Sequence, residues 1–245
     1  MGTCRAYQCK NTEFIEAHIY PRGFARDIMG DHKHNLLVST ETVRVTQHGV
    51  YDRNVLCARC DAALGEVDNF ALDVCRRFPV EHYVGDGFFV MPNVDGGRFA
   101  KFILSVLWRA SISTRPEFIG TDLGPYEAIA GEVIFGARPL SDIRSYELIV
   151  SRYKATDSFN PAHNYTTPAR IKMDGLNAWG FALHGFSILA KLDRRLFDRE
   201  LRPAIVNGSK ALTGAFVDYR STAEGKAMLG MAAAHRARRQ SHKSR

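Results

Sequence analysis

Apolar positions three and four residues apart mark the first clear element of the chain. Leu64, Val67, Phe70, Ala71, Val74 and Phe78 share one face at helical spacing. They predict a helix beginning near Cys60 and closed by Pro79. A second amphipathic helix is predicted over residues 98–113. Its stripe is Phe99, Phe102, Ile103, Val106, Leu107 and Ala110, widened by Leu104 and Trp108, so it should be deeply packed. Arg109 lies inside this apolar context, either as a buried ion-pair partner or as a residue reaching a groove; the ion pair is the simpler reading. A shorter helix is expected from about Pro125, with Pro in the first turn and Glu127 near the positive dipole end, finishing by Gly136.

Strand patterns are shorter. β-branched alternation over residues 40–45 predicts one strand, followed by turn chemistry at Gly49 and Asp52. Residues 146–153, 169–173 and the loosely alternating 179–192 predict more, with Asp174-Gly175 as a turn between two of them. Residues 212–219 add a further strand and 222–239 a last helix. The turn-rich run holding Gly85, Gly87, Pro92, Gly96 and Gly97 is the candidate boundary. The expected fold class is α+β, with a small N-terminal part (1–85), a larger helical and antiparallel-sheet part (86–234) and a basic tail (235–245).

Composition narrows the class. The chain has 245 residues, 45% apolar and 24% charged, as in ordinary globular proteins. No apolar run approaches the roughly 20 residues that span a bilayer, and the N-terminus has no charged-then-apolar signal pattern. A cytoplasmic protein without membrane contact is expected. Its cysteines then point to metal or catalysis rather than to disulfides. The tail holds Arg236, Arg238, Arg239, Lys243 and Arg245 and accounts for five of the seven net positive charges. Such a tail either holds nucleic acid electrostatically or is a solvated end.

The candidate chemistry lies in the first quarter. Cys4-x4-Cys9 and Cys57-x2-Cys60 are two pairs with the spacing of metal knuckles. Four thiolates in a tetrahedron make a closed structural Zn2+ site with no open position for catalysis. A redox pair at Cys57 and Cys60 is the alternative, but the strand-to-helix context of a thioredoxin-like motif is missing upstream. Cys75, beside the apolar helix face, fits a small buried residue better than a ligand.

Between the pairs stand His18-Ile19-Tyr20-Pro21 and then Asn54-Val55-Leu56-Cys57-x2-Cys60-Asp61. This set resembles the HNH family of ββα-metal nucleases in its zinc-knuckled form, over about residues 4 to 70. The resemblance implies an N-terminal ββα-metal module and roles for single residues. His18 would be the general base that deprotonates the attacking water, and Asn54 would hold the loop and orient that histidine. Asp61 would ligate a catalytic Mg2+ or Mn2+ in place of the usual Asn or His. It further implies a nucleic-acid partner, DNA first, with the larger part serving recognition, a protein partner or a homo-oligomer. Arg22, Arg26, Lys33, Arg53 and Arg59 around this core would contact phosphates, or form a solvated face.

One position departs from the family pattern. The residue before the base is usually a carboxylate or imidazole that helps hold the cation; here it is Ala17, and the acid is Glu16. Neighbouring strand residues face opposite ways, so Glu16 shares a face with His18 and does not replace what Ala17 omits unless the strand is bulged. Asp52, His32, His34 and Asp68 are the other nearby candidates. The second reading is therefore a zinc scaffold without catalysis that binds nucleic acid or protein. A third places the biology in the C-terminal part. No Gly-rich phosphate loop or nucleophile elbow supports that, and His163 and His184 are too far apart in sequence to define a site.

Overall fold

In the computed structural model the described residues are 2–30, 34–39, 43–46, 49–85, 87–155, 165–222, 225–226 and 229–230. The tail at 235–245, most of the helix expected over 222–239, His32, Lys33 and His163 lie outside them. In chain order the elements begin with β1 (Ala17–His18), α1 (Arg22–Met29), β2 (Asn35–Val38), β3 (Val43–Thr46) and β4 (Tyr51–Asp52). Then come α2 (Ala58–Glu81), β5 (Tyr83–Gly85), β6 (Phe88–Pro92), α3 (Gly96–Ser111) and α4 (Tyr126–Ile134). The rest is β7 (Tyr146–Tyr153), β8 (Tyr165–Thr166), β9 (Ala169–Met173), β10 (Leu176–Leu183), β11 (Phe186–Leu192) and β12 (Ala211–Val217). The fold is mixed α+β.

Helix α2 begins where the cysteine spacing placed it, with Cys57 in extended conformation at its N-cap. It does not stop at Pro79. The helix runs on to Glu81 with the proline inside its last turn, where a missing N–H costs a single intrahelical bond. His82 then stacks on Phe78 at 4.4 Å between ring centres, and its Nδ1 meets the Phe78 carbonyl at 2.6 Å. This side-chain contact finishes the helix in place of a glycine cap.

Helix α3 is the central packing element. From Phe99 to Ala110 every residue except Lys101 is buried, Ser105 and Arg109 among them. Its rings meet α1 on one side, Phe24 stacking on Phe102 at 5.3 Å, and the sheet on the other, Phe99 against Phe186. A stripe this wide needs cover all round, which explains why the hydrophobic cluster continues unbroken from Cys4 to Leu212. The two parts read from sequence, 1–85 and 86–234, share that core. β5 and β6, on either side of residue 86, pair with each other.

The sheet is larger and less regular than its strand patterns imply. Among the described residues it has ten strands in the order β3-β2-β8-β10-β11-β7-β12-β6-β5, with β9 also paired to β10. β2–β8 and β12–β7 are parallel and the other pairs antiparallel. Strands β2 and β3 come from the N-terminal stretch. β1 and β4 stand apart as a two-stranded antiparallel pair, Ala17 opposite Asp52 and His18 opposite Tyr51. The Asp174-Gly175 turn is confirmed, with φ of 49° and 80° joining β9 to β10, and His184-Gly185 repeats it between β10 and β11 at 49° and 83°. Gly185 has a second reason to be glycine. A Cβ there would lie 2.6 Å from the Arg152 guanidinium, which packs over Phe78 and Phe186.

No helix among the described residues is long and apolar enough to cross a membrane.

His184 is buried, with Nδ1 lacking a hydrogen-bond partner and Nε2 3.7 Å from Asp27. Burial and the Arg152 charge lower its pKa, against the smaller opposing pull of Asp27. A histidine depressed in the folded state binds fewer protons than in the unfolded chain. Its contribution is therefore complete above the unfolded value of about 6.5 and is lost as pH falls below it. Urea midpoints should fall as pH is lowered through that window. His184→Asn, whose side chain tolerates positive φ, should flatten the slope; an unchanged slope would remove His184 as its source.

Candidate functional site

Four sulfurs meet at the start of α2. Cys4, Cys9, Cys57 and Cys60 are buried, and their Sγ atoms lie within 4.8 Å of one another. All are free thiols. A tetrahedron with metal–sulfur bonds of about 2.3 Å puts its sulfurs about 3.8 Å apart. Cys9 and Cys57 have that separation, 3.8 Å. Local backbone builds each half. On one side Cys4 N–H donates to the Asn11 carbonyl, Cys9 N–H to the Ala6 carbonyl, and Gln8 takes a φ of 54° to turn the loop. On the other, Cys60 and Asp61 N–H both donate to the Cys57 carbonyl as the helix opens. The halves are joined by Arg5 N–H to the Val55 carbonyl and by Cys57 N–H aimed at Cys4 Sγ at 3.4 Å.

The thiols differ electrostatically. A backbone N–H at Asn11 holds Cys9 down at about 6, whereas burial pushes Cys4 and Cys60 up. Four thiolates in one buried space repel each other and need a cation between them. The donor set is soft and complete, and the cluster could hold a metal ion such as zinc. Cys75, the fifth cysteine, is buried in the core, with burial pushing its thiol up to about 12, as expected of an apolar filler.

A second group lies between β1, α2 and α3. His18 is half-buried on the outward side of β1, its ring 5.9 Å from Tyr51. Ala17, one residue back, is turned into the core and 1% exposed. Glu16 faces outward and pairs with Arg53. Close packing of the next loop depends on Gly49, at φ 84°. A Cβ there would meet Ala25 at 2.8 Å and lie 3.7 Å from the His18 ring. Asp61 is half-buried in the first turn of α2. Burial raises its pKa; the charges of Arg109 and His18 lower it, and that of Asp68 raises it. Those four side chains therefore share one electrostatic neighbourhood.

Arg109 is the residue that joins them, and the ion-pair reading of it holds. Its Nη1 donates to the His18 carbonyl at 3.2 Å and to Asp68 Oδ2 at 2.9 Å. Its Nη2 donates to Asp68 Oδ1 at 2.7 Å and Ser105 Oγ at 3.0 Å, and Nε to the Ser105 carbonyl at 3.3 Å. A guanidinium has five N–H donors, and here all five are used. Asp68, one of several acids that spacing left unplaced, sits two turns after Asp61 on α2.

Two further anchors come from the end of α3. Asp52 is buried and accepts from Ser113 Oγ, from Thr114 N–H and Oγ, and from Asn54 N–H. Burial works to raise its pKa, but those donors outweigh it and leave the carboxyl below its ordinary value. Arg115 donates to the Tyr51 carbonyl at 3.0 Å. Asn54 is exposed and its side-chain amide donates to Thr114 Oγ at 3.3 Å. Asp52 is thus the centre of this loop, with Asn54 at its edge. The signal for that was the turn residue itself, an Asx turn onto position 54.

A divalent cation beside His18 is a further expectation from the sequence. Among the described residues the four cysteines are the grouping of three or more potential ligands close enough to hold an ion. Ala17 offers no oxygen, and both Asp68 oxygens are engaged by Arg109. Asp61 and His18 alone leave most positions of a hard cation to water. The residues present do not complete that site.

Comparison of the chain with protein-family models, curated proteins and solved structures gave no match.

Purified protein should carry one metal ion per chain, and Cys57→Ser or Cys60→Ser should bring that toward zero. Metal at a thousand times its Kd stabilises by about 4 kcal/mol. For a chain of this size that moves Tm by roughly 8–16 °C. Elemental analysis and thermal melts with and without chelator check both; a metal-free protein with the same Tm would refute the assignment.

Proposed function

We propose that this chain is a zinc-stapled, HNH-like protein that hydrolyses nucleic-acid phosphodiester bonds, with His18 as the general base. The observation that carries the reading is the placement of His18. It sits on the outward face of the β1–β4 pair, beside the first turn of the helix that the cysteines open, with Asp61 in its electrostatic neighbourhood. Two short antiparallel strands leading into a helix is the arrangement the resemblance implies. The four thiolates, holding Zn2+, take a structural role, since a closed sulfur tetrahedron leaves no position for substrate.

The chemistry assigned to the chain's own residues is limited. His18 accepts the proton of a water aligned on the phosphorus; the water oxygen bonds to phosphorus as the bond to the leaving sugar oxygen breaks, and that oxygen takes its proton from solvent. Asp61 would orient that water. Arg22 and Arg26, exposed and one turn apart on α1, follow His18 directly in the chain and offer cations for the phosphodiester backbone. Arg53 and Arg59 are less available: the first pairs with Glu16 and the second leans on Cys9 Sγ. DNA is the first substrate to test.

A second reading is favoured by the Arg109–Asp68 pair together with Ala17. If those residues leave too little ligand for a catalytic ion, the same scaffold binds nucleic acid without cutting it.

Supercoiled plasmid and a labelled RNA, each with Mg2+ or Mn2+, separate the two. Cleavage that drops about 10²–10⁴-fold in His18→Ala supports hydrolysis. Cleavage unchanged in that variant, or none under either metal, sinks it. Binding without cleavage would favour the scaffold reading, and Arg22→Ala with Arg26→Ala should then lower the log–log salt slope by about 2.

A further inference from the structure

We propose that the cavity between the first cysteine loop and α4 binds one planar heteroaromatic base that carries an exocyclic amine beside a ring nitrogen, the pattern of adenine and cytosine. The site is distinct from the His18 group and goes beyond the proposed hydrolysis, since it stands whether or not the chain cuts anything.

The cavity has a volume of about 300 Å3. One wall is the loop over residues 5–8, which lies between the two cysteines of the first pair. The other is one face of α4, and Trp108 of α3 forms the floor. Successive residues of a helix point about 100° apart, so α3 turns Arg109 toward Asp68 of α2 and Trp108 toward α4. Ala6, Ala128 and Gly131 line the walls with little side-chain bulk. Gly131 lets the helix approach the indole, since a Cβ there would stand 3.2 Å from Trp108 Nε1. A slot between such walls suits a flat group.

The polar atoms decide the class of ligand. Trp108 is 2% exposed, yet its Nε1–H donates to no group among the described residues. A buried indole N–H ordinarily has a partner. It is not among the sealed orphan atoms, which are Asn35 Oδ1 and His184 Nδ1, so it opens on the cavity and asks for an acceptor. Glu132, next in the chain to Gly131, gives Oε2 to Arg138 at 2.7 Å and keeps Oε1 unbonded among the described residues. A carboxylate only accepts, so this oxygen asks for a donor. Glu127 is already engaged, Oε1 by Arg5 at 2.9 Å and Oε2 by Ser111 at 2.6 Å. Gln8 spends its amide N–H on Tyr7 Oη at 3.0 Å, which leaves its Oε1 as a second acceptor.

The ligand therefore needs an acceptor for the floor and N–H donors for the rim, in one plane. An amine-bearing base has both and carries no charge. Tyr7, 40% exposed at the rim, offers a ring for it to lie against. Anions are opposed by the two carboxylates of α4, and a plain hydrocarbon leaves the indole N–H unpaired. Uracil places a carbonyl oxygen where cytosine has its amine, against Glu132. A free nucleoside and an unstacked base on a strand present the same edge.

The test uses the full chain with its metal as purified. Cytidine, adenosine and uridine are titrated by calorimetry, and the indole N–H signals are followed by nuclear magnetic resonance, with Trp108→Phe as the assignment. Cytidine or adenosine should bind with a Kd of about 0.1–1 mM, as ligands of this size do at ordinary efficiency. Binding should shift the Trp108 signal and leave that of Trp179. Uridine should bind at least about tenfold more weakly than cytidine, because the site's acceptor is left unpaired. Glu132→Gln should weaken cytidine binding about tenfold. Ala128→Leu, at an exposed position of α4, should fill the slot and abolish binding with an unchanged circular dichroism spectrum.

A short oligodeoxycytidine and an abasic strand of equal length separate the two sources. A Trp108 shift with the first and not with the second supports a base presented on a strand; a shift with the nucleoside supports a free one. No Trp108 shift with any probe overturns the proposal. So does equal affinity for cytidine and uridine, or binding that survives in Ala128→Leu. Loss of the nuclease reading leaves these outcomes untouched, and their failure leaves His18 where it was.

Discussion

Four thiols held within 4.8 Å of one another, and buried, are the constraint on which the N-terminal third depends. Such a cluster is poorly matched to itself. Each thiolate that forms raises the cost of the next, and the buried surroundings add to it. A single soft cation reverses the sign of the problem, since it gains from every thiolate at once. The loop over residues 4–11 has little regular structure of its own. It is placed by that junction, by Arg5 N–H on Val55, and by the exposed pair of Arg5 with Glu127 of α4. The start of α2, and with it Asp61, is fixed by the same sulfurs.

The sulfur junction places one end of the site, and α3 places the other. Three residues of one short segment reach back to the β1–β4 pair: Arg109 to the His18 carbonyl, Thr114 to Asp52, and Arg115 to the Tyr51 carbonyl. Two strands of two residues each have almost no ladder to stabilise them. Their position is imposed from outside, by charge-assisted hydrogen bonds to backbone and carboxylate. The larger, sheet-bearing stretch is therefore part of the site's scaffold through α3, quite apart from anything it binds. Residues 1–85 and 86–234 meet at the point where His18 is held.

Local chemistry made some of this legible in the sequence. The cysteine spacings, the α3 stripe, the αL turn at Asp174-Gly175 and the buried Cys75 each depend on residues close in the chain, so pattern alone finds them. Arg109 could be read as an ion-pair member because an arginine inside an apolar stripe needs a partner. Which acid answered it could not be read, since Asp61 and Asp68 lie two turns apart on the same side of α2 and only the crossing of α2 with α3 selects between them. Asp52 gave only a turn signal; its burial by Ser113 and Thr114 comes from a contact 62 residues away. The sheet was underestimated for the same reason. Strands β2 and β3 join it through β8, a two-residue strand with no periodicity to detect. Pro79 misled because proline's cost depends on where in the helix it falls, and in the final turn it is small.

Ala17 is the point where strand geometry and family pattern part. Along this stretch Glu16 and His18 turn outward, while Ala17 and Ile19 are buried. The position before the histidine thus belongs to the core face here, at 1% exposure, and a carboxylate there would be a buried charge needing a partner of its own. Alanine is what that face accepts. A missing acid at 17 is then no isolated loss that one substitution could repair, since Ala17→Asp would put its charge into the apolar cluster rather than beside His18. Near the histidine's strand the charges come from elsewhere: α2 supplies Asp61 and Asp68, and α3 supplies the guanidinium that pairs with Asp68 and holds the His18 carbonyl. Whatever chemistry His18 performs has to operate with the arginine in place, because the bonds that would free Asp68 are the same bonds that hold the histidine's strand.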